Sequence, residues 1–207
     1  NFYKNKFNLI LFEPAQNIKY IDEGNSISII NNYFNSEEFK KKFKTKAKII
    51  TSCAMFYDLE NPRQFVKDIE EILDDDGVWC CQISYLASMI KYNNFYDICH
   101  EHLSYYSLET FECLINQFNL KCFYAETNEV NGGSIRLYIC KKNSTKFNES
   151  KLLNKLASIK IEEQKFKLDE PQTFINFEKK ISDLKNKTLK FVNDILNSNK
   201  KILDLGA

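Results

Sequence analysis

The residues best suited to chemistry lie in one segment, YDICHEHLSYYSLE, which spans positions 96–109 and holds both histidines of the 207-residue chain. His100 and His102 flank Glu101. In an extended segment, residues two apart share a face, so both imidazoles could reach one metal ion. A zinc site needs at least a third protein ligand, and the sequence has no further histidine and no C-x-x-C pair. We therefore predict no metal site.

A catalytic base is the second interpretation of the same segment. A histidine side chain, with an ordinary pKa of about 6.5, suits the removal of a proton next to a carbonyl group. In an extended segment Glu101 points away from both histidines, so it would orient neighbouring groups instead. A loop histidine that is merely hydrogen-bonded fits these residues too. Both interpretations stay open on the residues alone.

Acidic and small residues end two of the strand-like runs. Glu13 ends FNLILFEP, where an acid characteristically accepts hydrogen bonds from ribose hydroxyls. It equally fits the start of a helix before Pro14. Ser52, Cys53 and Ala54 end the run that starts at AKII, and their small size would let a planar ligand pass close by. An ordinary loop explains them equally well.

Two further features follow later strands. Tyr85 lies at the end of the apolar run GVWCCQISYL, which precedes the histidine segment in the chain. Asn131, Gly132, Gly133 and Ser134 offer backbone N–H groups that could cradle a phosphate. Asn-Gly is also the strongest short hairpin signal, so these four residues by themselves favour a turn.

The elements that must position these residues form an α/β pattern. Strand-like runs alternate with amphipathic segments through Lys142, which predicts a doubly wound, Rossmann-like sheet whose last two strands form an antiparallel hairpin. Ligands bind beyond the carboxyl ends of the strands in such sheets. NPRQFVKDIEEILDDDG predicts a helix that stops at Gly77.

The composition changes after residue 142. We expect residues 1–142 to form the core domain, 143–199 a helical extension, and 200–207, KKILDLGA, the first strand of another domain. Within the extension, apolar residues recur every three or four positions between Phe174 and Ile195, which predicts one long helix that packs its apolar face on a domain. Both ends look cut, so we expect a piece of a longer protein.

Composition excludes several classes of function. Hydrophobic residues make up 43% of the chain, which is typical of a globular protein. The 29 Lys and Arg nearly balance the 28 Asp and Glu, so no basic excess indicates nucleic acid. No apolar run approaches the ~20 residues of a membrane span, and no signal peptide is evident. Seven cysteines without C-x-x-C pairs favour free thiols and a cytoplasmic location.

Three segments in order, MFYDLENPRQFVKDIEEILDDDGVW, QISYLASMIKYNNFYDICHEHLSYYSLETFECL and NEVNGGSIRLY, resemble the S-adenosylmethionine-dependent C-methyltransferases of nucleotide-sugar biosynthesis. The resemblance implies a class I methyltransferase domain between an N-terminal zinc module and a C-terminal Rossmann-like domain. It implies S-adenosylmethionine as the cofactor, with Glu13 as the ribose acid of the second methyltransferase strand. The zinc-module cysteines, the first strand and its glycine-rich loop are not in this sequence.

The resemblance also implies a reaction. A base removes the proton next to a ketone of a nucleotide-linked sugar, and the resulting enolate attacks the methyl group. The base of the family matches His102, with Glu101 beside it. Cys99 stands where better-known members carry tyrosine, and Tyr57 is the nearest polar aromatic where some carry another histidine. Two alternatives remain: a degenerate fold that binds a sugar nucleotide or a partner without catalysis, and an O- or N-methyltransferase.

Under this resemblance the substrate contacts are expected from the residues around the histidine segment. They are Tyr85, His100, Asn131, Gly132, Gly133 and Ser134.

Overall fold

The computed structural model describes residues 8–17, 27–198 and 200–203. The helices and strands within these ranges follow the alternating order that the sequence predicts. They are β1 (Leu9–Phe12), β2 (Ile27–Ile30), α1 (Ser36–Lys42), β3 (Ala47–Cys53), α2 (Pro62–Ile72), β4 (Leu73–Ser84), α3 (Leu86–Tyr92), α4 (Leu108–Ile115), β5 (Leu120–Asn128), β6 (Ser134–Lys141), α5 (Ser150–Gln164) and α6 (Pro171–Asn197), with short 3-10 helices at Phe56–Asp58, Phe95–Asp97 and Val130–Gly132.

The central sheet has the strand order β3-β4-β6-β5. β4 runs parallel to β3 and antiparallel to β6, and β5 pairs antiparallel with β6. The α/β class with an antiparallel pair of final strands is therefore confirmed. The segment KKILDLGA lies mostly outside the described residues, so the strand predicted there stays a prediction.

β1 and β2 form a parallel pair of their own. Aromatic side chains join this pair to the rest of the protein: the ring of Phe34 lies 5.1 Å from that of Phe12 and 4.9 Å from that of Phe65 on α2. Within the part of the chain that the structure describes, strand pairing does not join the two sheets.

Helix α2 is shorter than the sequence predicts. Asn61 caps its N-terminus by accepting a hydrogen bond from the Gln64 N–H at 3.1 Å, but the helix ends at Ile72 and the three following aspartates belong to β4. Negative charge is unfavourable at a helix C-terminus. The predicted stop at Gly77 is therefore wrong: this glycine lies within β4, where an added Cβ would come within 2.9 Å of the Ala47 carbonyl oxygen.

Aromatic residues fill the core beneath the carboxyl end of the sheet. Trp79 and Phe56 are fully buried, and their ring centroids lie 5.8 Å apart. Phe56 also contacts Phe111 of α4 at 5.1 Å and Tyr106 at 5.3 Å. These rings fix the 3-10 helix after β3 and the segment before α4, which together hold the candidate site.

The long helix predicted in the extension is present as α6, and among the described residues its apolar face packs on the protein only near its N-terminus, through Phe177 and Ile181. Only Phe177 of this helix is buried, in a small cluster with Met89 and Ile90 of α3. Phe191 is 65% exposed and Leu189 is 52% exposed. Periodicity therefore predicted the helix but not what covers it. No described helix is both long and apolar enough to span a membrane.

Candidate active site

His102 lies against Tyr57 at the carboxyl end of the central sheet. Their ring centroids are 4.4 Å apart, and their planes meet at 57°. The loop is held there because the Ser104 N–H donates to the Tyr57 carbonyl at 3.1 Å. Tyr105 also lies beside the imidazole, with its ring centroid 6.4 Å away. The half-buried His102 is therefore accompanied by two phenol rings.

A small cleft opens beside this imidazole. It is built from the 3-10 helix after β3, the end of β4, the start of α3 and the histidine loop. Its lining residues are Tyr57, Ser84, Tyr85, Leu86, Met89, Asp97, His102, Ser104 and Tyr105. The Leu86 N–H donates to the Tyr106 carbonyl at 3.0 Å, so the far end of the loop is tied to the end of β4. Backbone hydrogen bonds thus hold the histidine loop against the end of β4 and the 3-10 helix, beside the cleft.

Asp97 is a cleft residue that the sequence reasoning missed, although it belongs to the same YDICHEH segment. Its side chain is only 7% exposed, and burial raises the pKa of its carboxyl group, with His102 acting in the opposite direction. The Tyr105 hydroxyl donates to the Asp97 backbone carbonyl at 3.3 Å. The carboxylate itself accepts no hydrogen bond from any described residue.

His100 and Glu101, the other two residues of the His-Glu-His sequence, lie outside the cleft lining. The side chains of His100 and Glu101 are 91% and 63% exposed, and His100 Nε2 lies 3.1 Å from Glu101 Oε1. Hydrogen bonds from its own backbone N–H and then from the Cys99 thiol hold the pKa of Glu101 below its ordinary value. The structure thus brings His102 into the cleft and leaves His100 and Glu101 at the surface. Their roles stay predictions.

Tyr85 lines the cleft, but its hydroxyl already has a partner. It donates to Glu163 Oε2 at 2.7 Å, and the Leu108 and Glu109 N–H groups donate to the same carboxylate at 2.6 and 3.0 Å. Burial raises the pKa of Tyr85 well above its ordinary value. Glu163 lies in a Lys- and Glu-rich stretch of the sequence with no local signal for such a contact.

The NGGS turn packs directly behind the cleft. Asn131, Gly132 and Gly133 all have positive φ, at 52°, 75° and 125°. A Cβ on Gly133 would lie 2.6 Å from the Ser88 Cβ, and the Gly133 carbonyl accepts the Tyr85 N–H at 3.2 Å. Gly133 is required by this close approach to α3, and a Cβ on Gly132 would clash with the Tyr96 hydroxyl. Phosphate binding by the turn, including Ser134, stays a prediction.

The predicted cofactor residues occupy two strand ends. Glu13 follows β1, and its Oε1 accepts the Ala15 N–H at 2.9 Å. Ser52 is buried, and its hydroxyl accepts the indole N–H of Trp79 at 2.9 Å, so it supports the core of the sheet. Cys53 and Ala54 are exposed, and Ala54 has a left-handed backbone with φ of 53°. Pro14 is exposed beside Glu13.

These residues fit the adenosine part of S-adenosylmethionine. A carboxylate is an acceptor of the type that binds ribose hydroxyls, and Glu13 carries one at the end of β1. Left-handed backbone in a non-glycine residue is strained and clusters at ligand sites. The small exposed Ala54 at the end of β3 has this conformation. The described residues contain no group of three His, Cys, Asp or Glu that could hold a metal ion.

Comparisons with known proteins bear on the family of the chain. A methyltransferase domain profile matches residues 1–124, and a C-methyltransferase C-terminal domain profile matches residues 129–207. The C-methyltransferase NovU of Streptomyces niveus is 26% identical over 129 residues, which cover 61% of this chain and 30% of that protein. The chain thus spans less than a third of the length of this relative.

Solved structures with a similar fold include the LepI complex with SAM, with a TM-score of 0.48 and 10% identity over 65% of this chain and 36% of that chain. N-methyltransferase NodS from Bradyrhizobium japonicum WM9 has a TM-score of 0.44 and 11% identity over 65% of this chain and 73% of that chain. The methyltransferase domain profile covers more than half of the sequence. The chain therefore belongs to the S-adenosylmethionine-dependent methyltransferases.

Proposed function

We propose that this chain is the methyltransferase core of a C-methyltransferase that methylates the carbon next to a ketone of a nucleotide-linked sugar, with His102 as the base. The main support is the position of His102, which lies half-buried in the cleft against Tyr57. The match to a C-methyltransferase C-terminal domain and the similarity to NovU support transfer to carbon.

His102 performs the proton transfer in this proposal. A neutral imidazole accepts the proton from the carbon beside the ketone, and the electron pair of the broken C–H bond forms an enolate. The bound cofactor supplies an electrophilic methyl group on its sulfonium. A base of this kind contributes about 10²–10⁴-fold to a reaction rate.

Tyr57 is placed to assist. Burial raises the pKa of its hydroxyl, so the phenol stays protonated at neutral pH and can donate a hydrogen bond to a developing enolate oxygen. This gives Tyr57 the role that the missing second histidine has in some members of the family. Glu101 and Cys99, hydrogen-bonded to each other at the edge of the loop, would orient the loop around the base.

The remaining predicted residues would bind the cofactor and substrate. Glu13, Pro14, Cys53 and Ala54 would hold adenosine at the ends of β1 and β3, with Ser52 supporting that strand end from within the core.

The substrate-binding role falls to residues at the mouth of the cleft and behind it. Tyr85 lines the cleft, the NGGS turn supports it from behind, and the exposed His100 offers an outer polar contact. We place the reaction in the cytoplasm, because all seven cysteines are free thiols.

The experiment is a methyl-transfer assay on the full-length protein with S-adenosylmethionine labelled in its methyl carbon. The acceptors are nucleoside-diphosphate keto-sugars, and the controls are the same sugars with the ketone reduced. Carbon NMR of the product would place the label on the carbon beside the ketone. Label on oxygen or nitrogen would contradict C-methylation, and binding of S-adenosylhomocysteine without any transfer would favour a binding module.

A further inference from the structure

We propose that Asp97 is a substrate-binding residue whose carboxylate accepts a hydrogen bond from a sugar hydroxyl beside the reacting ketone. This inference rests on the proposed function and adds a determinant of substrate choice to it. Its basis is a buried carboxylate that lines the cleft of His102 and has no hydrogen-bond partner among the described residues.

The first argument is the low exposure of this carboxylate. Asp97 is 7% exposed and lines the cleft, so its oxygens meet little solvent there, and a poorly solvated carboxylate without a hydrogen-bond donor is unfavourable. Other buried carboxylates of this protein are satisfied: Asp68 accepts from the Ser36 hydroxyl at 2.8 Å, and Glu163 accepts three hydrogen bonds. Asp97 therefore differs from these other buried carboxylates because no described residue donates a hydrogen bond to its side chain.

The second argument is its position. Asp97 ends the 3-10 helix Phe95–Asp97 and is held from two sides, because its backbone carbonyl accepts the Cys99 N–H at 3.2 Å and the Tyr105 hydroxyl at 3.3 Å. The backbone that carries the carboxylate is thus held beside the cleft before any ligand enters. A pre-positioned acceptor loses little freedom when it binds a hydroxyl.

The third argument comes from the other groups around the cleft. Among the other lining groups, the Tyr57 hydroxyl can donate to a ligand oxygen, whereas the Tyr105 hydroxyl already donates to the Asp97 backbone carbonyl. The Asp97 carboxylate adds a hydrogen-bond acceptor to which no described protein group donates. A hydroxyl of the ligand can therefore donate to it. In a substrate with a hydroxyl next to its ketone, the ketone oxygen accepts a hydrogen bond and the hydroxyl donates one. This pair complements a protein donor and the Asp97 acceptor in the cleft lining.

The site also predicts discrimination. A site built to hydrogen-bond a substrate hydroxyl rejects the analogue that lacks it, because the buried protein group is then left unpaired. We therefore expect keto-sugars with the adjacent hydroxyl to bind about tenfold more tightly than their deoxy analogues, which corresponds to one charge-assisted hydrogen bond.

The test is a cycle of one substitution and one substrate change, measured as binding by calorimetry on the full-length protein. The two probes are a nucleoside-diphosphate keto-hexose and the same compound without the hydroxyl beside the ketone. Wild type should discriminate between them about tenfold, and Asp97→Asn, whose neutral amide oxygen is a weaker acceptor than the carboxylate, should discriminate clearly less. Asp58→Asn, which removes an exposed carboxylate near His102, is the matched control and should keep the discrimination.

The possible outcomes separate the role of Asp97 from the proposed function. An additive cycle, in which Asp97→Asn weakens both probes equally or neither, would overturn the role of Asp97, even with methyl transfer intact. A coupled cycle without methyl transfer would support Asp97 and remove the proposed function. Absence of binding to either probe would overturn both. If Asp97→Asn does not fold, Asp97→Glu carries the test, because the displaced carboxylate should reduce the discrimination.

Discussion

The Tyr85 hydroxyl donates a hydrogen bond to Glu163 across 78 positions of sequence, at 2.7 Å. This bond joins the end of β4 to helix α5, and the same carboxylate binds the first two amide groups of α4. Glu163 thereby holds together three elements that frame the candidate site. A residue of the helical extension is thus part of the support of the methyltransferase core.

Glu163→Ala should therefore destabilise the protein. The substitution leaves a buried tyrosine hydroxyl and two helix N–H groups without their acceptor, which predicts a loss of about 3 kcal/mol in the free energy of unfolding. Urea denaturation of the full-length protein measures it. Glu162→Ala is the matched control, because its exposed ion pair with Lys165 contributes about 0–1 kcal/mol. Equal losses of unfolding free energy from the two substitutions would contradict the role of Glu163 in holding Tyr85 and the start of α4.

Gly133→Ala should also be destabilising. Gly133 has φ of 125°, and an added methyl group would lie 2.6 Å from the Ser88 Cβ. Backbone strain and the steric clash together predict a loss of about 2 kcal/mol or more. Asn131→Gly is the control at the same turn, since glycine adopts its φ of 52° without strain, and it should change thermal stability little. A stable Gly133→Ala protein would contradict the tight packing of this turn.

Asp97 should make stability depend on pH. Burial raises the pKa of its carboxyl group in the folded protein, so the folded state binds the proton more tightly than the unfolded state. Its contribution to stability therefore falls as the pH rises above the unfolded value of about 3.9. Asp97→Asn removes this effect, so its unfolding free energy relative to wild type should increase from pH 4 to pH 7. A constant difference over that range would contradict the unpaired carboxylate.

The thiols should divide into two classes of reactivity. Cys53 and Cys113 are exposed, whereas Cys81, Cys122 and Cys140 are buried, and burial raises the pKa of Cys122 to about 12. Because the thiolate is the reactive form, iodoacetamide at pH 8 should label the exposed pair first. Peptide mapping by mass spectrometry measures the order. Labelling of Cys122 at the rate of Cys53 in the folded protein would contradict the core described here.

Sequence patterns predicted the strands well, because six apolar runs bounded by polar turns leave few alternatives. They also placed His102 at the sheet end where the structure has its cleft. They missed Asp97 and Glu163, whose importance depends on burial and on partners distant in sequence. They misplaced the end of α2, since periodicity continued past Ile72 while the negative charges of Asp74, Asp75 and Asp76 are unfavourable at a helix C-terminus. The periodic apolar pattern of α6 predicts a helix with an apolar face, but it does not specify which surface packs against that face.

The most direct test of the central claim is exchange of the substrate proton with solvent in the full-length protein. A nucleoside-diphosphate keto-sugar is incubated in D2O with the enzyme and S-adenosylhomocysteine, and NMR follows deuterium at the carbon beside the ketone. His102→Gln should slow this exchange at saturating substrate by at least about 100-fold, as expected for the loss of a general base. His100→Gln should change at most the substrate concentration that is needed. Exchange at the wild-type rate in His102→Gln would contradict His102 as the base.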